Sequence, residues 1–239
     1  AMCYTRGTPA DYDEWERAGA AGWGWDAVLP YFLRAEGNSR GGSPLHGEHG
    51  PLCVSDLRHV NPLSHAFVEA GEQAGWPRNG DFNGPSQAGV GLYQVTQRDG
   101  ARCSAASAYL GPARGRPNLR VVTGARVRRV RVERGRAAGA EYARGGRLHH
   151  AAATTEVLLC GGAVNSPQLL MLSGIGPAEH LKSNGIEVVA DRPGVGQNLQ
   201  DHLELYIQQQ SLKPITLHSS LNLVSKALIG AEWLFFKSG

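Results

Sequence analysis

The stretch from Thr155 to Gly176, TEVLLCGGAVNSPQLLMLSGIG, constrains the fold of this chain more than any other. Val157, Leu158, Leu159 and Cys160 make a continuous apolar run, the pattern of a short strand buried on both faces. Gly161 and Gly162 follow, where the backbone can turn or approach a ligand with no Cβ in the way. Asn165 or Ser166 is placed to cap a helix and Pro167 suits its first position. Leu169, Leu170 and Leu172 give that helix an apolar face, and Gly174 can end it. Strand, glycine turn and helix start in that order leave two readings open. One is a crossover that only packs a core; the other is a helix N-terminus whose backbone N–H groups meet a nucleotide.

The residues GAVNSPQLLMLSGIG, Gly162 to Gly176, resemble the second signature of the glucose–methanol–choline (GMC) flavoenzymes, a family of FAD-dependent alcohol oxidoreductases. Further stretches carry the same resemblance across nearly the whole chain: RGTPADYDEW (6–15), DAVLPYFLRAE (26–36), LHGEHGPL (45–52), DFNG (81–84), RCSAASAYL (102–110), RPNLRVVTGARV (116–127) and RPGVGQNLQDH (192–202). The choline-dehydrogenase-like branch is the most similar. The resemblance implies an α/β fold with mixed α+β character: a partial FAD-binding GMC-type fold with a β-sheet substrate-domain portion. Residues 1–36 and 106–185 would form part of the FAD-binding domain, and 37–105 and 186–239 part of a substrate-binding or cap domain.

It also implies cofactor contacts at Ala1, Met2, Cys3, Val127, Gly161, Gly162, Ala163 and Asn198. At Val127 the backbone would pair with the adenine of FAD, which needs no particular side chain. On the residues alone, without the resemblance, Met2 and Cys3 read as buried packing groups. The chain opens on a sequence similar to the one that follows the family's Gly-x-Gly-x-x-Gly unit, and it stops at Phe235-Phe236-Lys237-Ser238-Gly239, ahead of the family's catalytic His. The expectation is therefore a middle piece with no catalytic residue of its own. Its implied function is oxidation of a primary alcohol or choline-like substrate, with hydride passing to flavin N5 and on to a quinone or oxygen. A GMC-type lyase that keeps FAD structurally, or a non-catalytic binding module, are the alternatives.

Composition fits a globular protein and excludes some partners. With 41% hydrophobic and 19% charged residues, the chain can bury a core, and a net charge of +3 demands no acidic partner. Cys3, Cys53, Cys103 and Cys160 are scattered with no C-x-x-C pair, which argues against a zinc or dithiol motif and for a reducing, cytoplasmic compartment. Eleven arginines fall between Arg114 and Arg147. They alternate with valines rather than aromatics, so a solvated sheet face, with Arg stems over apolar surface, is preferred to nucleic acid.

In chain order, Tyr12, Trp15, Trp23 and Trp25 read as an aromatic loop, followed by a helix capped by Asp26, with Pro30 in its first turn, through Ala35. Residues 37–60 read as a flexible lid or surface loop in which His46 and His49 lack a third metal ligand. Asn61 and Pro62 start a helix that buries Leu63, Ala66, Phe67, Ala70 and Ala74, closed by Gly75. Residues 81–100 suggest a turn and a strand, with Tyr93 or Gln94 toward a pocket, and Ser104 caps a short helix. Leu119–Thr123, Val127–Val132, Ala137–Tyr142 and Leu148–Ala153 alternate as strands of a meander. Ile186–Ala190 and Leu203–Ile207 add two more. Asn198, Asp201 and His202 follow a glycine loop, where the Asp-His pair reads as a turn cap. Leu221 to Phe235 mark an amphipathic helix, too short and polar to span a bilayer. Core packing is its first reading, and peripheral contact with an inner membrane its second.

Overall fold

The computed structural model describes residues 2–236 apart from 202, 209 and 214 and the side chain of Ser219. Ala1 and His202, both singled out in the sequence, lie outside the described residues. The chain divides into two compact units, Ala1–Leu119 with Gln208–Gly239, and Arg120–Ile207.

The first unit opens on helices. α1 spans Pro9–Arg17 and α2 spans Trp25–Ala35. The aromatic stretch is thus half helix. Thr8 N and Oγ1 both donate to Asp11 Oδ2, at 2.6 and 2.7 Å, and Pro9 occupies the first helical position, a start signal present in Thr-Pro-Ala-Asp. Three residues apart on α1, Tyr12 and Trp15 pack edge to face at 5.4 Å, and Tyr12 meets Phe32 of α2 at 5.7 Å. Gly24, not Asp26, caps α2, where a Cβ would lie 2.2 Å from Glu16 Oε2. Asp26 falls in the first turn and Pro30 in the helix interior.

Short strands follow: β1 (Glu36–Asn38) pairs in parallel with β2 (Leu52–Val54). The intervening loop is no flexible lid. His46 Nδ1 lies 2.8 Å from Glu36 Oε1 and its Nε2 lies 2.9 Å from Asp81 Oδ2. Glu36 is fully buried and also accepts from Asn38 Nδ2 and from Gly47 N. Asn38 and Gln94 exchange side-chain amide hydrogen bonds at 2.8 and 3.1 Å. Asp81 Oδ1 accepts from Asn83 N, and Asn83 in turn accepts from Arg6 N and donates to Tyr4 O. The polar core of this unit therefore links residues 4–6, 36–38, 46, 81–83 and 94. Chemistry-bearing spacing pointed to a surface loop because these partners are far apart in sequence.

α3 (Pro62–Gln73) starts on Asn61 as the sequence implies, Asn61 Oδ1 accepting from Leu63 N. Its buried side is shifted, however. Val68 is buried while Phe67 is 74% exposed, and Gly71 lets Val90 approach where a Cβ would lie 2.7 Å from Val90 Cγ1. Residues 81–100 form no long strand; Val95 bridges both Cys3 and Ser55, and β3 (Gln97–Arg98) turns back on β4 (Ala101–Arg102). A π-helical turn over Ala106–Leu110 and the short α4 (Gly111–Ala113) complete this part, with Ser104 Oγ accepting from Ser107 N.

The second unit contains the expected meander. β5 (Arg126–Glu133), β6 (Arg136–Arg144) and β7 (Arg147–Ala152) form one antiparallel sheet in that order. Both hairpins use two residues with positive φ, Arg134-Gly135 and Gly145-Gly146, the turn whose twist matches paired strands. Exposed arginines on the sheet meet acceptors: Arg129 pairs with Glu141, Arg131 with Glu133, and Arg136 donates to the Thr154 and Thr155 carbonyls. Leu119–Thr123 is not a strand, since among the described residues nothing pairs with it.

The central motif is only partly as its pattern implies. Val157–Cys160 is not a ladder strand and Leu158 is 73% exposed, because no described strand lies beside it. α5 spans Gly162–Leu172, so it begins ahead of Asn165 and carries Pro167 in its interior. Ser166 Oγ reaches back to accept from Gly161 N at 3.0 Å. Gly174 ends the helix at φ 82°, where a Cβ would lie 2.5 Å from Glu187 O. β8 (Ile175–Gly176) pairs in parallel with β9 (Ala190–Asp191) around α6 (Ala178–Ser183), whose Leu181 is fully buried. Most of the β-branched run before Ala190 is therefore loop. Leu203, Leu205 and Ile207 are exposed and form no strand.

The returning segment of the first unit holds a 3₁₀ turn, Leu217–Ser220, and α7, Leu223–Phe236. None of α7 is buried, contrary to core packing, and Trp233 Nε1 donates to Gly100 O at 3.2 Å. No helix among the described residues is long and apolar enough to cross a membrane.

Candidate functional site

In the second unit, the edge of the sheet, the segment before α5 and α5 itself enclose a cleft of about 530 Å³, within the range of small-molecule sites. Val127 and Val130 of β5 form one wall and Leu169 and Leu172 of α5 the other. Val157 to Gly161 line a third side, and Asn165, Ser166 and Gln168 supply polar groups. Apolar walls with a few amides and hydroxyls suit a flat heterocycle with donors and acceptors on its edge.

Ser173 sets the distance between the two walls. Buried, it accepts from Val130 N at 2.8 Å and donates to Leu169 O at 2.6 Å, tying β5 to the end of α5. Ser173→Ala leaves the Val130 N–H buried and unpartnered, so we expect a loss of about 1–3 kcal/mol in chemical denaturation.

β5 is an edge strand, and its open side faces the cleft. Val130 N–H is taken by Ser173, whereas Val127, 45% exposed, makes no hydrogen bond outside the sheet ladder among the described residues. A register shift between Val127 and Arg129 re-aims the backbone there. At the other wall, Gly162 has φ 84° and a Cβ would find nothing within 4 Å, so the start of α5 is open to a ligand. The residues present thus fit a nucleotide end group: a free strand edge on one side and a helix N-terminus on the other.

Of the residues named from sequence, Val127 and Gly161 line this cleft together. Gly162 and Ala163 are the first residues of α5, just past its lining. Asn198 sits in the glycine loop with φ 56°, a left-handed conformation uncommon outside glycine. Gly196 of that loop approaches α5, where a Cβ would lie 3.5 Å from Met171 Cε. Met2 and Cys3 belong to the other unit, where Met2 O accepts from Thr96 N at 2.8 Å and Cys3 bridges Val95. Beside them, burial and then the Glu36 carboxylate push the Tyr4 phenol up to about 12. The sequence reading missed Val130, Leu169, Leu172 and Ser173 as site residues. Only the closing Ser-Gly-Ile-Gly signalled Ser173.

The first unit has its own apolar groove of about 680 Å³, bordered by Phe67, Trp76, Phe82 and Tyr93, with the Phe82 and Tyr93 rings 4.5 Å apart and tilted by 31°. This settles the orientation left open in sequence. Tyr93 faces the groove, and Gln94 turns inward to Asn38. Among the described residues, no three His, Cys, Asp or Glu side chains are grouped to hold a metal ion.

Comparison with known proteins matches residues 1–204 to the GMC oxidoreductase family model. Oxygen-dependent choline dehydrogenase from Brucella anthropi is 54% identical over all of this chain and 43% of its own length, and that from Sinorhizobium fredii is 52% identical over the same shares. Among solved structures, an FAD-dependent oxidoreductase from Chaetomium thermophilum superposes with a TM-score of 0.87 at 29% identity, covering 100% of this chain and 44% of that one. Pyridoxine 4-oxidase from Mesorbium loti gives 0.74 at 41% identity, covering 81% and 38%. The chain spans less than half the length of these relatives. Its mixed helix-and-sheet fold is the one these flavoproteins share over the matched part, and the chain belongs to the GMC oxidoreductases, a family whose cofactor is FAD.

Proposed function

We propose that this chain is part of an FAD-dependent oxidoreductase acting on the CH–OH group of a primary alcohol or choline-like donor, and that its cleft between β5 and α5 receives the adenine end of FAD. The observation that carries this is the meeting of Val127 and Gly161 in one cleft, in a chain 54% identical to a choline dehydrogenase. FAD, when bound, would supply the two-electron redox chemistry, with oxygen or a quinone as the final acceptor. The chain's own residues bind and orient. Val127 offers its backbone, Val130, Leu169 and Leu172 sandwich a flat ring, and Gly161, Gly162 and Ala163 present the helix start. Ala1, Met2, Cys3 and Asn198 are assigned further cofactor contacts.

By function, 1–36 with 106–185 form the FAD-binding part, and 37–105 with 186–239 the substrate or cap part. We assign none of these residues acid–base chemistry, and place the protein in the cytoplasm, with contact at the inner membrane through exposed α7 as the second option.

Leu169→Trp in the complete gene product fills the cleft. FAD content after purification should fall at least about tenfold while circular dichroism is unchanged. Full FAD content in this variant would exclude the cleft as the adenine site. Separately, anaerobic choline or a primary alcohol should bleach the flavin absorbance of the unaltered protein. A flavin that stays oxidised with every alcohol tried removes the oxidoreductase reading.

A further inference from the structure

Two of the four cysteines are neighbours, and one of them holds an arginine: Arg98 bonds Cys53 Sγ, and the Cys103 sulfur accepts from Cys53 N. Arg98 Nε on β3 donates to Cys53 Sγ on β2 at 2.9 Å, and Arg98 Nη2 donates to Pro51 O at 3.3 Å, which fixes the guanidinium over the sulfur. Cys103, just past β4, places its Sγ 3.3 Å from Cys53 N and 3.9 Å from Pro51 O. Cys103 is buried, Cys53 half-buried, and Arg98 exposed. The two sulfurs raise the Arg98 guanidinium above its ordinary value, its hydrogen bond to Cys53 first and the nearby Cys103 after it. A small thiol packed for volume alone needs no guanidinium. Reactive cysteines, by contrast, occupy electropositive, partly exposed surroundings, often with a second cysteine within reach.

We propose that Cys53 and Cys103 are a peroxide-responsive thiol pair, with Cys53 the attacking sulfur, Cys103 the resolving one and Arg98 the group that holds positive charge against the attack. Cys53 sulfur takes one oxygen of hydrogen peroxide or an alkyl hydroperoxide. The O–O bond breaks, the thiol proton goes to the departing oxygen, and water or an alcohol leaves. Cys103 sulfur then attacks the Cys53 sulfenic acid. The S–S bond forms, the S–O bond breaks, and the hydroxyl leaves as water with the Cys103 proton. Two thiols are oxidised to one disulfide as the O–O bond is reduced. The resulting link would join β2 to the segment after β4, and the proposal stands independently of the flavoenzyme reading.

The test is internal to the protein, because Cys3 and Cys160 are more exposed than either member of the pair. The complete gene product is treated with limiting hydrogen peroxide, blocked with maleimide and mapped by mass spectrometry. The expected result is a Cys53–Cys103 disulfide peptide appearing before oxidation of Cys3 or Cys160. In Cys103→Ser, dimedone should instead capture Cys53 as a sulfenic acid. Arg98→Gln, a change at an exposed side chain, should slow that capture about tenfold, and Arg98→Lys should restore part of it. Oxidation of Cys53 no faster than Cys3 and Cys160, or an unchanged capture rate in Arg98→Gln, overturns the proposal.

Discussion

Replacing His46 with leucine is expected to destabilise the first unit by about 3 kcal/mol, the upper end of the usual cost of leaving a buried polar group without one of its partners. Glu36 carries the effect. Its side chain is completely buried, and the imidazole at 2.8 Å is one of three groups that satisfy it, with Asn38 Nδ2 and Gly47 N. Leucine fills the volume but offers the carboxylate nothing. The second ring nitrogen is equally committed, to Asp81 at 2.9 Å, and Asp81 orders Asn83, which holds the backbone at Tyr4 and Arg6. Urea denaturation of wild type, His46→Leu, Glu36→Gln and the double variant measures the coupling. The double variant should recover part of the loss, because its buried carboxylate is gone. A His46→Leu loss under about 1 kcal/mol would mean that Glu36 finds other partners.

Legibility in the sequence followed the range of the interactions. The meander was readable because two positive-φ hairpins and alternating valines are local signals, and the start of α3 because Asn61-Pro62 is a local cap. The network around His46 was not, since its partners stand 10 and 35 residues away and only the fold brings them together. Local patterns also misled. The apolar run Val157–Cys160 has the composition of a buried strand, yet a strand needs a neighbour, and none of the described strands pairs with it. On α3 the more hydrophobic stripe is the exposed one, and the buried stripe runs through Val68 and Gly71 because Val90 packs there. At the cleft, the glycines and Val127 came from family resemblance, whereas Ser173, which sets the gap between the walls, came only with the structure.

Gly47→Ala should be among the most damaging single methyl additions at the described glycines. Residues 43–50 fold across the end of α2, where the last carbonyls of a helix need partners. Gly50 N donates to Glu36 O at 2.8 Å, and Asn38 N donates to Gly47 O at 2.9 Å. That closeness leaves no room for a side chain. A Cβ at Gly47 would lie 1.8 Å from Leu33 O and 2.7 Å from Glu36 O, and one at Gly50 would lie 2.3 Å from Ala35 O. The opposing atoms are backbone inside a helix end, so no rotamer change relieves the overlap. Either the loop lifts off, unpairing Glu36 from Gly47 N, or α2 loses its last turn. We expect a loss of at least about 4 kcal/mol, in the range reached only by a named steric or buried-charge fault. Gly115→Ala is the control, since a Cβ there meets nothing within 4 Å and its φ is not in the left-handed region. It should change stability by no more than about 0.5 kcal/mol. Thermal and urea unfolding of the two variants side by side decide the matter. A Gly47→Ala protein as stable as Gly115→Ala would show that residues 43–50 do not clasp the end of α2 in solution.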